Sequence, residues 1–169
     1  WYLQVVWPEL DVRISSVTEQ WAAMALAGPR ARAALQAAVP ELDVSEDGLP
    51  FMGVVTATIG GAPVRIFRIS FSGELSYEIN TPADYGSHVW ESLMIAGQPL
   101  GIIPYGLEAM GIMRIEKGHP VAAELNGQTT ADDLGLGRMM SSKKGFIGRI
   151  LSGREGLSHP DRPQLVGLV

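Results

Sequence analysis

The stretch FMGVVTATIGGAPVRIFRISF, residues 51–71, limits the fold more than any other part of this chain. Two runs rich in β-branched and aromatic residues flank Gly60-Gly61, and a two-residue turn whose central residues both take positive φ matches the twist of paired strands. The segment predicts a β-hairpin, and with it a sheet that is antiparallel at this point. Ser72-Gly73 then reverses the chain, and Leu75 to Asn80 returns as a further strand. Side chains alternate along a strand, so Leu75, Tyr77 and Ile79 share one face, while Glu74, Ser76, Glu78 and Asn80 share the other.

The remaining elements follow from turn residues and helical spacing. DVRISSVTEQWAAMALAGP reads as two short strands, Val12 to Val17 and Trp21 to Ala27, with Gly28-Pro29 stopping the second. Pro29 then opens an alanine-rich helix, PRARAALQAAV, that ends before Pro40, and Glu41 to Pro50 form a surface loop. Thr81-Pro82 offers an N-cap and first-turn pair for ADYGSHVWESLMIAG, whose Tyr85, Val89 and Leu93 form an apolar stripe. A second helix, YGLEAMGIMRIEKG, should turn Leu107, Met110 and Met113 inward and end at Gly118. Beyond His119 the sequence reads as loops and short turns, with a helix start near Asp132 and a final strand near Leu165. Hairpin-linked strands with helices between them predict an α+β fold, a mainly antiparallel sheet with helices over one face.

An apolar content of 46% in 169 residues permits one compact domain or two small lobes, and one domain is the starting expectation. The balance of 18 acidic and 13 basic side chains, net −5, with no basic run longer than Lys143-Lys144, argues against a nucleic-acid or anionic-membrane surface. Without cysteine there is no disulfide, thiolate metal site or cysteine nucleophile. No apolar run approaches the roughly 20 residues of a membrane span, so a soluble chain is expected. Because it opens on Trp1 and closes on the apolar PQLVGLV, the chain is expected to be a piece of a longer polypeptide. Residues 164–169 would then begin a following domain, and their apolar edge would promote self-association.

Few motifs point to chemistry. DDLGLGRMM lacks the spacing of a phosphate loop and reads as turns. His88, His119 and His159 lie far apart without metal-ligand spacing, so no metal site is expected, and neither GxSxG nor SxxK occurs. The acidic strand face remains. Glu74 and Glu78 would stand about 13 Å apart along a strand, too far for the paired carboxylates of a glycosidase. A single carboxylate in a pocket suits a flat heterocycle with adjacent N–H donors, such as the 2-amino-4-oxo edge of a pterin, because its two oxygens accept both bonds. The residues alone leave two readings open, a ligand site or the solvated face common in antiparallel sheets.

SFSGELSYEI, YGLEAMGIMRIEKG and NGQTTADDLGLGRMMSSKKGFIGR, in that order, resemble the tetrahydrofolate-binding, aminomethyltransferase-like region of the alpha subunits of heterotetrameric sarcosine oxidases. SVTEQWAAMALAGPRARAAL fits the same region, and the broader family includes the glycine-cleavage T-protein and dimethylglycine dehydrogenase. The resemblance implies a partial folate-binding domain over residues 1–163, working in the cytoplasm with beta, gamma and delta subunits. It implies that sarcosine is oxidised at a flavin of the beta subunit. Tetrahydrofolate then captures the released one-carbon unit as 5,10-methylenetetrahydrofolate, with glycine and hydrogen peroxide as the other products. FAD, FMN and NAD of the whole complex are expected outside this chain, which by itself is expected to be inert.

Carried over residue by residue, the family's pterin-holding carboxylate falls on Glu78. Tyr77 is then packing by simple alternation, and Glu74 a turn residue bonding nearby backbone. The T-protein's folate-contacting arginine aligns with Met110, so Arg114, one turn on, is the candidate substitute; an ion pair with a neighbouring acid is its other reading. The family's catalytic aspartate lies upstream of the matched region, and neither Asp11 nor any other residue is assigned its role. Two alternatives stand beside this expectation: a stand-alone folate-dependent aminomethyltransferase, and an assembly module that keeps the fold without folate.

Overall fold

A computed structural model describes residues 2–168. The chain forms two compact units, one running to Tyr105 and the other from Gly106 onward.

The first unit holds one antiparallel sheet built from β1 (Trp21–Ala27), β2 (Val54–Ile59), β3 (Ala62–Phe67) and β4 (Ser76–Pro82), in the spatial order β1-β4-β3-β2. Gly60 and Gly61 join β2 to β3 at φ 58° and 84°, the left-handed pair that the hairpin requires. β4 then enters between β3 and β1. Its register sets Arg65 opposite Asn80 and Phe67 opposite Glu78 on one side, and Ala25 opposite Glu78 and Ala23 opposite Asn80 on the other.

Two helices cover one face of this sheet: α1 (Ala31–Ala38) and α2 (Gly86–Gly97), which pack on each other. Ile59, Val64, Ile66, Tyr77 and Ile79 from the strands meet Leu35, Val89 and Leu93 from the helices, and Val44 and Leu49 of the following loop complete the core. Each large side chain buried there contributes roughly 1.5–3 kcal/mol. Gly86 is a point of close approach of α2 to β1, since a Cβ built there would lie 2.9 Å from the Cβ of Ala22.

Several elements depart from the sequence expectations. Residues 12–17 form no strand: the β-branched Val12, Ile14 and Val17 stay exposed, and no described strand pairs with them. α1 begins at Ala31, two residues after Pro29. Thr81 does not cap α2. It lies inside β4, fully buried, and its hydroxyl donates to the Pro63 carbonyl of β3 at 2.8 Å. A 3-10 turn over Ala83–Tyr85 precedes α2, which leaves Tyr85 exposed while Val89 and Leu93 are buried as the stripe requires.

The second unit contains α3 (Leu107–Lys117), closed by Gly118 at φ 75°, whose N–H reaches the carbonyls of Arg114 and Ile115. Met110 and Met113 are half-buried, but Leu107, in the first turn, is 80% exposed rather than inward. Near Asp132 there are tight turns and a 3-10 turn at Gly137–Met139 instead of an α-helix. The tail near Leu165 is extended without strand pairing, tied back by Leu165 N–H donating to the Asp133 carbonyl at 2.7 Å. Arg162 reinforces that tie. Its Nε and Nη2 donate to the two Asp133 carboxylate oxygens at 3.0 and 2.6 Å, and its remaining donors reach the carbonyls of Gly156 and Gln128. Among the described residues, no helix is long and apolar enough to cross a membrane.

Candidate functional site

The face of the sheet opposite α1 and α2 carries an open cavity of about 210 Å³ lined by Trp21, Arg65, Phe67, Glu78 and Asn80. Strand parity explains its composition. On β4, Tyr77, Ile79 and Thr81 are fully buried, so Glu78 and Asn80 must point the other way. On β3, Val64 and Ile66 enter the core and Arg65 and Phe67 emerge beside Asn80 and Glu78. On β1 the residues flanking this row are Ala23 and Ala25, whose small side chains leave the floor of the cavity uncovered next to the β4 polar pair.

Glu78 is half-buried, and its Oε1 accepts a hydrogen bond from Asn80 Nδ2 at 3.0 Å. That bond fixes the carboxylate on the strand face and leaves lone pairs on both oxygens for a further donor. Arg65 reaches across β4 to place its guanidinium over the Trp21 indole, 4.3 Å from the ring centroid. A cation–π contact of this kind is worth about 0.5–1 kcal/mol at an exposed position. The ion pairs among the described residues do not join Arg65 to Glu78, although both line the cavity. Phe67 supplies an aromatic wall beside Glu78.

Arg68, just beyond β3, anchors the entry to β4 on the core side. Its Nη1 donates to the Ser76 carbonyl at 3.0 Å, and its guanidinium lies 5.3 Å from the Tyr77 ring centroid and 5.8 Å from that of Phe51. Tyr77 is therefore packing, and burial pushes its phenol pKa up.

The other residues singled out in the sequence are distributed differently. Glu74 is exposed in the turn before β4 and does not share the cavity; in that turn the Gly73 N–H bonds Ser70 Oγ, not Glu74. Arg114 belongs to the second unit, where its Nη1 donates to Glu124 Oε1 at 3.0 Å. Glu124 also accepts the Val121 N–H at 2.8 Å, and that bond first, then Arg114, holds its carboxyl below the ordinary value. The ion-pair reading of Arg114 is thus realised. Sequence reasoning passed over Trp21, Arg65 and Phe67. Their outward parity was readable from alternation, but their meeting with Glu78 depends on the pairing of three strands.

A carboxylate, an amide, a guanidinium and two aromatic rings line one open cavity on an antiparallel sheet. Glu78 can accept from two adjacent N–H groups of a flat heterocycle such as a pterin, and the Phe67 ring stands beside it. The chain belongs to the family described as the GCVT N-terminal domain, whose model matches residues 1–144.

Relatives within and beyond that match are consistent in kind. The chain is 50% identical over 169 residues to the sarcosine oxidase subunit alpha of Rhizobium meliloti (strain 1021), covering 98% of this chain and 17% of that protein. It is 44% identical over 170 residues to the sarcosine oxidase subunit alpha of Corynebacterium sp. (strain P-1), covering 99% and 18%. An aminomethyltransferase of Halothermothrix orenii is 36% identical over 134 residues, covering 78% of this chain and 37% of that enzyme. The chain therefore matches the aminomethyltransferase-like region of sarcosine oxidase alpha subunits, and it spans less than a fifth of the two alpha subunits.

Proposed function

We propose that this chain supplies part of a tetrahydrofolate site, with Glu78 as the anchor of the pterin edge. The observation that carries the reading is the outer-face cavity in which the half-buried Glu78 stands between Phe67 and the Arg65–Trp21 stack. The Glu78 carboxylate accepts the 2-amino and neighbouring ring N–H groups, while Asn80 fixes its orientation through the 3.0 Å bond. The half-burial of Glu78 lowers the local dielectric and strengthens those bonds over their value in water. Arg114, in the second unit, is proposed separately as a folate contact, with its Nη1 already held by Glu124.

The wider activity belongs to the same proposal: oxidation of sarcosine to glycine, with the one-carbon unit passed to tetrahydrofolate, supported by the two relatives that carry the name sarcosine oxidase subunit alpha. Tetrahydrofolate supplies the nucleophilic nitrogens that take up that unit. The residues described here bind and orient it. We assign the FAD, FMN and NAD of such a complex, and the catalytic residues, to parts of the assembly outside this chain. The beta, gamma and delta subunits, a cytoplasmic location and a domain boundary near residue 163 belong to the same proposal.

Calorimetric titration of the intact subunit with tetrahydrofolate, wild type against Glu78→Gln, tests the anchor. The substitution keeps the shape of the side chain and the option of a bond with Asn80, but it removes the charge. An affinity loss of about tenfold or more is expected, the scale of a charge-assisted bond reduced to a neutral one. Equal affinity in the two proteins would remove Glu78 from the site, and no binding to the wild type would remove the folate reading itself.

A further inference from the structure

We propose that Arg65, held on the Trp21 indole, is a specificity-determining residue that reads the 4-position of the bound pteridine and selects an oxo acceptor over an amino donor. The inference rests on the folate reading above and adds the group that distinguishes among pteridines.

The argument begins with the register. Glu78 faces Phe67 directly and Asn80 faces Arg65, so Arg65 and Glu78 are diagonal neighbours on one sheet face. Diagonal Cα positions are about 7–8 Å apart, a spacing that leaves room for the edge of one flat ring between two long side chains. The two charged groups line one cavity, and the Arg65 guanidinium rests on the Trp21 ring at 4.3 Å instead of closing onto the carboxylate. The cavity thus keeps a pure acceptor at one end and a pure donor at the other. A carboxylate accepts N–H groups and cannot donate, while a guanidinium donates through five N–H bonds and cannot accept. The ligand edge that satisfies both reads donor, donor, acceptor. The 2-amino, N3–H and 4-oxo groups of a pterin present that order along one side of the ring. A 2,4-diaminopteridine keeps the first group but turns a donor toward Arg65, so two sets of N–H bonds oppose each other. Discrimination by a misplaced polar group of this kind is stronger than discrimination by shape alone.

Arg65 is exposed and belongs to no part of the core, so its replacement leaves the fold intact. The test titrates the intact subunit, without oxygen, with tetrahydrofolate and with its 4-amino counterpart, tetrahydroaminopterin, which differ in the group at position 4 and in the hydrogen on N3, so the Arg65 contribution is read from the change in their ratio between wild type and variant. Wild type, Arg65→Leu, Arg65→Lys and Glu78→Gln are compared, with thermal melts verifying that each is folded. The ratio of the two dissociation constants is the readout. Wild type is expected to favour the 4-oxo ligand, and Arg65→Leu to lower that preference about tenfold, the value of one charge-assisted bond. Arg65→Lys keeps the charge without the planar stacked fork and is expected to fall between them. Glu78→Gln is expected to weaken both ligands. A ratio unchanged in Arg65→Leu, with tetrahydrofolate still bound and still sensitive to Glu78→Gln, overturns this inference and leaves the folate reading standing. Failure of wild type to bind tetrahydrofolate overturns both.

Discussion

Thr81 provides a test of how the candidate site is held together. Pairing between β3 and β4 runs from Phe67 opposite Glu78 to Arg65 opposite Asn80, and there it stops. The next positions along the two strands include Pro63 and Pro82, which have no N–H to donate. The Thr81 hydroxyl replaces the missing backbone donor by bonding the Pro63 carbonyl at 2.8 Å, immediately beyond the pair that sets Arg65 against Asn80. Thr81→Val keeps the volume and removes the donor. A net hydrogen bond is worth about 0.5–1.5 kcal/mol, and because Pro63 is exposed, water can take over its carbonyl and spare the larger desolvation cost. The expected loss is about 1 kcal/mol, a fall in Tm of roughly 4–8 °C for a unit of this size. Thr81→Ser keeps the donor and deletes a buried methyl group, which also costs about 1 kcal/mol through transfer and cavity terms.

The two variants should therefore melt alike and differ elsewhere. Urea unfolding gives the stabilities, and amide exchange along β3 shows whether the strands remain stitched. Faster exchange at the Pro63 end of β3 is expected in Thr81→Val alone, together with weaker tetrahydrofolate binding as Arg65 and Phe67 loosen against Glu78. Wild-type stability and exchange in Thr81→Val would refute the assignment of this hydroxyl as the link between the strands.

Two further outcomes follow from the described contacts. Asp133 is held well below the ordinary carboxyl value of 3.8, first by the hydrogen bonds from Arg162 and next by the Thr130 N–H. A depressed pKa stabilises the fold above the unfolded value and loses that contribution as pH falls toward the folded one, so the tail contacts at Leu165 should weaken progressively below about pH 4. Asp133→Asn should weaken them at neutral pH and flatten this acid dependence, as measured by amide exchange at Leu165 against pH; a dependence unchanged by the substitution would locate the titrating group elsewhere. Tyr77 is fully buried, and its hydroxyl finds no partner at hydrogen-bond distance and angle among the described residues, the Arg68 guanidinium being the nearby donor that partly offsets the effect of burial. Because a buried unsatisfied polar group costs about 1–3 kcal/mol, Tyr77→Phe is expected to stabilise the first unit by about 1 kcal/mol in denaturant unfolding, and a loss of stability would mean that the hydroxyl is satisfied, for example by an internal water.

Much of this protein was legible before its structure. The hairpin around Gly60-Gly61 declares itself because only a few turn chemistries suit a two-residue link, and β1 was readable over its whole length. The opposite facing of Tyr77 and Glu78 follows from the two-residue period of a strand, while the choice of Glu78 as candidate anchor came from the family resemblance. Other readings failed for reasons that are equally physical. Val12 to Val17 is rich in β-branched residues, but a strand exists only where another strand accepts its hydrogen bonds, and residues 12–17 have no such partner among the described residues. Thr81-Pro82 has the local chemistry of a helix start, and the neighbouring β3 claimed the hydroxyl instead.

The amino-acid sequence by itself determined the antiparallel hairpin, the core and polar faces of β4, and Glu78 as the carboxylate on the polar side. These are consequences of nearest-neighbour sterics and side-chain alternation, which act within a few residues. The tertiary structure alone decided what surrounds Glu78. The insertion of β4 between β1 and β3 set Phe67 beside it, left Ala25 small on its other flank and carried Arg65 across the strand to Trp21. Register is a contest among pairings of segments distant in the chain, settled by burial of the whole core face, and no local pattern encodes its outcome.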